Sequence, residues 1–408
     1  MPRFFVAKYN MSMGLFSLLR SLLAIIGAIG ITAIVIFAVG QLAPEVSSER
    51  FVANEEVVVV VPEEADILDE EEEMPPPKAA AKEDVPEDPP AQESKPTEQV
   101  PEEASTLTIT AQAAEWEITR TENPYGIPAR DFSEINEEAR AALVNIFCRA
   151  GGSLGSITAS GVFINSNGVI LTNAHVAQYI LLAQSKKANL ECTVRTGAPA
   201  RDRFVARVLY VPPSWVREHA HDLNNENALG TGEHDWALLY VIESTDGSTL
   251  PSSFPFLPFD TRVGIGFTGD SILIASYPAG FLGGTATIST LYPASTVTTI
   301  QSLLTFDSGV PEIFSLGGSV AAQSGSSGGA VVNGWGYLIG LITTMSNAET
   351  TAERDLRAVA LNYVDADLRA LTGHDLQIYI RGDLAQKSAV FMSVYGVELT
   401  ELLLEQVK

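Results

Sequence analysis

Three polar side chains, far apart in the chain, are of the types that nucleophilic catalysis requires. Ser327 lies in the glycine-rich run Gln-Ser-Gly-Ser-Ser-Gly-Gly-Ala at 323–330, His175 lies in Thr-Asn-Ala-His-Val, and Asp235 precedes Trp-Ala-Leu-Leu. A serine hydroxyl becomes a strong nucleophile only when a neighbouring base takes its proton and a third group orients that base. His175 is the candidate base and Asp235 the candidate orienting carboxylate, so the sequence predicts nucleophilic catalysis at Ser327.

The glycines beside Ser327 predict how a developing negative charge would be stabilised. Gly325, two residues before Ser327, allows a turn in which two backbone amides converge on one point. The amides of Gly325 and Ser327 are therefore the expected oxyanion hole, and Ser324 and Ser326 are interpreted as loop residues.

Each of these residues also has a simpler interpretation. The run at 323–330 is compatible with a flexible turn, and Asp235 with a carboxylate that bonds its own backbone at the head of a strand. A single histidine is most often a surface or core residue. Catalysis is favoured because the three residue types occur together.

Short runs rich in Val, Ile and Thr, bounded by Gly, Asn and Pro, dominate the chain after a predicted helix at 131–143. The predicted strands are 144–148, 159–165, 168–172, 192–196, 204–211, 236–242, 271–276, 285–291, 295–305, 329–332 and 337–344. Strands at this density, with almost no helices between them, indicate antiparallel barrels or sandwiches. Asn165-Ser-Asn-Gly168 is a tight hairpin signal, since Asn-Gly accepts positive φ angles.

The motifs and their chain order resemble the trypsin-like serine peptidases, and most closely their HtrA/Deg branch. The runs at 171–176, 235–239 and 325–330 are similar to the histidine, aspartate and serine motifs of that branch. The resemblance spans 131–375 and implies an all-β domain of two six-stranded antiparallel β-barrels with the site in the cleft between them. It also implies a catalytic triad of His175, Asp235 and Ser327, polypeptide substrates and no cofactor.

The resemblance further implies how a substrate would be held. Leu341, Ile342 and Thr343 would pair with the substrate backbone as an added strand, although an ordinary buried strand is compatible with the same residues. Ala321, six residues before Ser327, replaces the acidic residue that trypsins use to bind Lys or Arg. We therefore expect cleavage after small or medium apolar residues.

The first forty residues predict a membrane anchor. The uncharged stretch at 21–40 has the length that an α-helix needs to cross a bilayer. Basic residues precede it and acidic residues follow it, which places residues 1–20 in the cytoplasm and the rest outside. A cleaved signal peptide is the alternative, but its apolar core is usually shorter.

Residues 41–120 are interpreted as a disordered linker. Between 62 and 104 the chain contains 16 Asp and Glu, 3 Lys and 9 Pro, which supplies −13 of the total net charge of −25. Such a segment cannot bury enough apolar surface to fold, and it stays extended. A functional acidic tail is the alternative interpretation. Nucleic-acid binding is not expected, because the chain has no basic stripe.

The cysteines and the remaining histidines suggest two other kinds of site. Cys148 and Cys192 lie in the part expected outside the cytoplasm, where a disulfide is permitted, and two buried thiols are the alternative. In the polar connection after residue 212, His219, His221, Asp222 and His234 include a His-x-His pattern that can bind a metal. A solvent-exposed loop is the favoured interpretation, so no metal site is predicted.

The C-terminal extension, 376–408, is predicted to form a strand and a short amphipathic helix. It ends too soon after the protease region for a PDZ domain, which is therefore not expected. The sequence as a whole predicts a membrane-anchored, extracytoplasmic serine endopeptidase in protein processing or quality control. The alternatives are a peptide-binding or chaperone-like protein on an inactive protease scaffold, and an adhesion or envelope-spacing protein suggested by the linker alone.

Overall fold

The computed structural model describes residues 118–152, 154–223, 225, 230–280, 289–306, 309–319, 323–345 and 355–407. All of them belong to the compact unit Glu102–Lys408. The predicted membrane helix at 21–40, the linker at 41–120 except its last three residues, and most of the predicted strand at 285–291 lie outside them. Within the described residues, no helix combines the length and apolar character that crossing a bilayer requires.

The first half of the domain is a closed six-stranded antiparallel barrel, with strand order β1-β2-β3-β6-β5-β4. One predicted barrel is thus confirmed. Its strands are β1 (Leu143–Ala150), β2 (Ile157–Phe163), β3 (Val169–Thr172), β4 (Leu190–Thr196), β5 (Arg201–Tyr210) and β6 (Ala237–Ser244).

The predicted N-terminal helix is present as α1 (Phe132–Ala142), and it begins where Asp131 accepts a 2.8 Å hydrogen bond from the Ser133 amide. Ile135, Ala139 and Ala142 are spaced along one helix face and are buried, which fixes the face that packs on the domain.

The predicted hairpin between β2 and β3 also forms. The Asn165 side chain accepts hydrogen bonds from the amides of Asn167 and Val169. Gly168 adopts φ +79°, a left-handed conformation that a glycine reaches at no steric cost.

The second half is an open seven-stranded sheet in the described residues, with strand order β8-β7-β11-β12-β13-β10-β9. Its strands are β7 (Ser271–Ser276), β8 (Ala294–Thr299), β9 (Ser302–Leu304), β10 (Ile313–Ser315), β11 (Ala330–Asn333), β12 (Leu338–Met345) and β13 (Leu356–Ala360).

This sheet differs from the second six-stranded barrel that was predicted. The single predicted strand at 295–305 is divided at Ile300 and Gln301, whose amides donate to the carbonyls of Asp270 and Ser315. β8 therefore pairs with β7 on one side, and β9 pairs with β10 on the other. The two pieces lie at opposite edges of the sheet.

The domain contains more helix than the strand-rich sequence predicted. α2 (Ala174–Ser185) and α3 (Pro213–His219) are inserted between barrel strands, and α4 (Leu361–Thr372) follows β13. The sequence did not reveal α2, because its residues from Val176 to Leu182 are all buried and show no polar face.

The predicted C-terminal strand is wrong, because this region is helical. α5 (Leu376–Tyr379), α6 (Leu384–Phe391), a π-helical turn (Met392–Gly396) and α7 (Val397–Glu405) follow α4. Asp375 and Asp383 start α5 and α6 by accepting hydrogen bonds from the backbone amides of Ile378 and Gln386. The predicted short amphipathic helix corresponds to α7, whose Leu399 and Leu403 are buried.

The two cysteines are joined by a disulfide across neighbouring strands. Cys148 of β1 lies opposite Cys192 of β4, with their Cα atoms 4.0 Å apart. The two cysteines are 44 residues apart in the chain, so the bond closes a loop of that length within the first barrel.

Candidate active site

Strand register brings His175 and Asp235 together. β3 and β6 are paired so that Thr172 lies opposite Ala237. His175 follows Thr172 in the first turn of α2, and Asp235 lies just before β6. His175 Nδ1 is 2.9 Å from Asp235 Oδ2, and the His175 backbone amide donates to Asp235 Oδ1 at 3.0 Å. The carboxylate therefore fixes both the imidazole and the backbone that carries it.

Asp235 is buried and receives a further hydrogen bond from Thr343 Oγ1 at 2.8 Å. Burial alone would raise the pKa of the Asp235 carboxyl. The positive charge of His175 and the hydrogen bonds from His175 and Thr343 outweigh the effect of burial. They hold this pKa below its ordinary value. Asp235 is thus ionised at neutral pH.

His175 remains accessible, with 36% of its side chain exposed. Burial lowers the pKa of the imidazole, but the charge of Asp235 and its hydrogen bond to Nδ1 prevail, and the pKa lies above the ordinary 6.5. The bond at Nδ1 leaves Nε2 as the nitrogen that can exchange a proton with a substrate or a hydroxyl group.

Ser327 lies just before β11 and is half-buried. Its hydroxyl donates to the backbone carbonyl of Thr343 at 3.4 Å, and in the described part of the chain it makes no hydrogen bond to His175. Thr343 thus contacts both Asp235, through its side chain, and Ser327, through its backbone. Thr343 thereby links the three predicted catalytic residues into one cluster. Within the described residues, no hydrogen bond joins Ser327 directly to His175.

The turn that carries Ser327 requires glycine at two positions. Gly325 has φ +93°, and a Cβ there would lie 2.8 Å from the carbonyl oxygen of Tyr277. Gly328 has φ +85°, and a Cβ there would lie 2.0 Å from the carbonyl oxygen of Ser160. Any side chain at these two positions would displace the loop from the barrel.

The same turn leaves two amides available. The amides of Ser326 and Gly328 donate to the carbonyls of Gln323 and Ile342. The amides of Gly325 and Ser327 have no acceptor among the residues that the structure describes. They are the two donors predicted for an oxyanion.

Ser160 attaches this loop to the first barrel, a role that sequence reasoning missed. Its hydroxyl donates to the Gly325 carbonyl and accepts from the Tyr277 amide, both at 2.8 Å. Its own amide donates to the Ser327 carbonyl at 2.7 Å. The only available signal was a serine within an otherwise apolar stretch of predicted strand.

The neighbouring serines differ from Ser327. Ser324 is exposed, whereas Ser326 is fully buried and accepts a 3.1 Å hydrogen bond from Ser276 Oγ. Neither contacts His175 or Asp235 in the described structure.

The predicted substrate strand is not available at Leu341 and Ile342. Leu341 pairs with Ala330 of β11 and with Val359 of β13. Ile342 pairs with β13 as well, and on its other side it bonds the backbone just before β11. Both side chains are buried, so these residues form the ordinary buried strand that was the alternative interpretation. Thr343 is also buried and contacts Asp235 through its hydroxyl.

The remaining predicted positions are Ala321 and the histidines of the polar connection. Ala321 lies outside the described residues. His219 stacks on Trp215, and His234 contacts Asp367, so the polar connection does not bring its histidines together. No group of three or more His, Cys, Asp or Glu able to hold a metal ion occurs in the described ranges.

Residues 159–341 match the family model described as the trypsin-like peptidase domain. No curated protein matches the chain.

Three similar solved structures are proteases of low sequence identity. The serine endoprotease from Yersinia pestis is 21% identical over 61% of this chain and 69% of its own, with a TM-score of 0.38. The HtrA-type protease AlgW with a decapeptide is 16% identical over 60% and 69%, with a TM-score of 0.39. A variant of AlgW with a tripeptide is 18% identical over 60% and 65%, also with a TM-score of 0.39.

Proposed function

We propose that this chain, whose residues 159–341 match the trypsin-like peptidase domain model, is a membrane-anchored serine endopeptidase with His175, Asp235 and Ser327 as its catalytic triad. One observation carries the assignment: Asp235 binds His175 Nδ1 at 2.9 Å while Thr343 contacts both Asp235 and the Ser327 hydroxyl. The open contact between Ser327 and His175 is compatible with this role, because catalytic hydrogen bonds often shorten only when substrate binds.

The chemistry follows from the positions of the donors and acceptors. His175 Nε2 removes the proton from Ser327 Oγ as this oxygen attacks the scissile carbonyl carbon. The amides of Gly325 and Ser327 stabilise the negative oxygen of the tetrahedral intermediate. His175 then donates its proton to the leaving amine, which leaves an acyl-enzyme on Ser327. A water molecule, activated by His175, hydrolyses this ester and restores the hydroxyl.

Asp235 acts through His175 and stays ionised throughout. Its bond to Nδ1 keeps the tautomer in which Nε2 is the base, and its negative charge stabilises the imidazolium that forms in each half-reaction. The low pKa of the buried carboxyl supports this role, since a protonated Asp235 would offer neither effect.

The location is proposed from the sequence. Residues 21–40 would anchor the protein, and the acidic linker would separate the peptidase domain from the bilayer. The Cys148–Cys192 disulfide supports an extracytoplasmic position, because such bonds persist mainly in oxidising compartments. The substrates would be extracytoplasmic polypeptides that require processing or removal.

Hydrolysis of fluorescence-quenched casein by the detergent-solubilised full chain tests the function. We expect the wild type to hydrolyse casein and Ser327→Ala to lose activity by a factor on the order of 10⁶. Ser324→Ala, which removes an exposed hydroxyl from the same loop, is the matched control and should retain activity. Binding of casein without hydrolysis by the wild type would instead support the chaperone-like alternative.

A further inference from the structure

A second His–Asp pair lies directly beside the candidate triad. His234 and Trp236 flank Asp235 in the chain, and both donate to one oxygen of Asp367 on α4. His234 Nδ1 is 2.7 Å from Asp367 Oδ2, and Trp236 Nε1 is 2.8 Å from the same atom. Asp367 is buried and Trp236 is fully buried. One carboxylate therefore binds the side chains on both sides of Asp235.

The local backbone depends on these contacts. His234 has φ +56°, a left-handed conformation that residues with a side chain rarely adopt. Its amide donates to the Tyr363 hydroxyl on α4 at 3.1 Å. Trp236 stacks on Tyr210 of the barrel, so its indole N–H faces away from solvent and requires a buried acceptor. Helix α4 supplies the partner for each of these groups.

We propose that Asp367 is a positioning residue, which fixes Asp235 against His175 by binding the two residues that flank it. The proposal rests on the proposed function. It also assigns a role to α4: the helix that follows the second sheet holds the acidic residue of the first barrel in its catalytic position.

The contacts of Asp367 with His234 and Trp236 are called the clamp. The charges around His234 make the clamp sensitive to pH. Asp367 binds Nδ1, Glu233 Oε1 lies 4.0 Å from Nε2, and Glu218 is a further nearby acid. The hydrogen bond to Asp367 raises the pKa of His234 above 6.5, against the opposing effect of burial. The bond is therefore charge-assisted while His234 is protonated, and it weakens as the pH rises through the His234 pKa. A neutral imidazole still donates from Nδ1.

An NMR titration of the histidines tests the proposal without requiring hydrolysis. The chain has 5 histidines, so carbon-13-labelled histidine gives few signals. The titration uses the detergent-solubilised full chain with Ser327→Ala, which also prevents self-cleavage. Asp367→Asn should lower the pKa of His234, which loses its negative partner. It should also lower the pKa of His175, because Asp235 is no longer held against that imidazole.

Two further variants separate positioning from the simple removal of a charge. Asp365→Asn removes a carboxylate from the same helix whose partners are Arg369 and the Leu376 amide, and it should leave the pKa of His175 unchanged. Trp236→Phe removes one donor of the clamp with no change in charge, and it should lower the pKa of His175 in the same direction as Asp367→Asn. It also provides the readout should Asp367→Asn fail to fold.

Enzyme kinetics, measured on proteins that retain Ser327, give the second readout. Asp367→Asn should reduce kcat about ten- to a hundredfold with KM unchanged, as expected for a misplaced catalytic group, and Asp365→Asn should not. An unchanged His175 pKa in both Asp367→Asn and Trp236→Phe would overturn the proposal. Absence of hydrolysis by the wild type would refute the proposed function, whereas the titration would still decide whether Asp367 positions Asp235.

Discussion

At the residue scale, Thr343 links the members of the proposed triad, because its hydroxyl donates to Asp235 and its carbonyl accepts from the Ser327 hydroxyl. His175, Asp235 and Ser327 occur in recognisable runs, so they could be selected without a structure. Thr343, Ser160 and Asp367 could not, because no motif marks them and the partner of each is distant in the chain. Their roles depend on tertiary contacts alone, such as the 2.8 Å bond between Thr343 and Asp235.

The raised pKa of His175 predicts where activity is lost on acidification. The imidazole must be neutral to act as a base, so kcat/KM should be high above the His175 pKa and fall as the pH drops through it. We expect the midpoint of this acid limb above 6.5. Measurement of the pH–rate profile checks this, and Asp235→Asn should move the limb to lower pH and reduce kcat about 10⁴-fold. A midpoint below 6.5 in the wild type would contradict the geometry.

The raised pKa of His175 also makes the stability of the fold depend on pH, in the opposite direction to the activity. Because the folded-state pKa of His175 is raised, its pairing with Asp235 stabilises the fold fully below the unfolded-state pKa. That stabilisation is lost as the pH rises through the folded-state pKa. The contribution that depends on protonation of His175 is therefore absent at the pH where the neutral base is active.

Cleavage specificity is a residue-scale prediction from Ala321. An uncharged residue at this position offers no partner for Lys or Arg, so we expect cleavage after small or medium apolar residues. Profiling with a peptide library should show this preference, and Ala321→Asp should shift cleavage towards basic residues. A wild-type profile dominated by Lys and Arg would rule out the assignment.

At the element scale, strand register decides which residues meet. The pairing of β3 with β6 places the ends that carry His175 and Asp235 side by side, and β12 brings Thr343 to both Asp235 and Ser327. The barrel strands were predictable because they are rich in β-branched and other apolar residues, including β3 with only 4 residues. β9 was predicted only as part of a longer strand at 295–305, and β10 and β13, with 3 and 5 residues, were not predicted. α2 was hidden because burial removes its polar face.

The disulfide between β1 and β4 should stabilise the first barrel. For a 44-residue separation, the chain-entropy model predicts about 4 kcal/mol. Denaturant unfolding with and without a thiol reductant measures this difference in the free energy of unfolding. A Cys148→Ala/Cys192→Ala variant, which should not respond to reductant, is the control. Equal unfolding midpoints of the wild type in both conditions would show that the bond does not constrain the unfolded chain.

At the scale of the whole molecule, we propose separate roles for the domain that the structure describes and for the N-terminal hundred residues. The domain holds every residue of the proposed site that the structure describes. The uncharged stretch and the acidic linker are proposed to determine only where that site acts. This division stays a prediction from composition, since neither segment resembles the strand-rich sequence that follows.

Deletion of residues 1–40 tests the proposed anchor. The full chain should remain with the membrane fraction after carbonate extraction, whereas the chain beginning at residue 41 should be released. The rate of casein hydrolysis in detergent should be equal for both proteins, because the deletion does not touch the site. Release of the full chain by carbonate would refute the anchor and leave the peptidase assignment intact.

The central claim is that Ser327 is an activated nucleophile, and labelling with a fluorophosphonate probe tests it most directly. The probe reacts only with a serine whose hydroxyl is activated by a base. We predict labelling of the wild type and of Ser324→Ala, with the adduct on Ser327, and no labelling of Ser327→Ala. Equal labelling of Ser327→Ala and the wild type would contradict the claim.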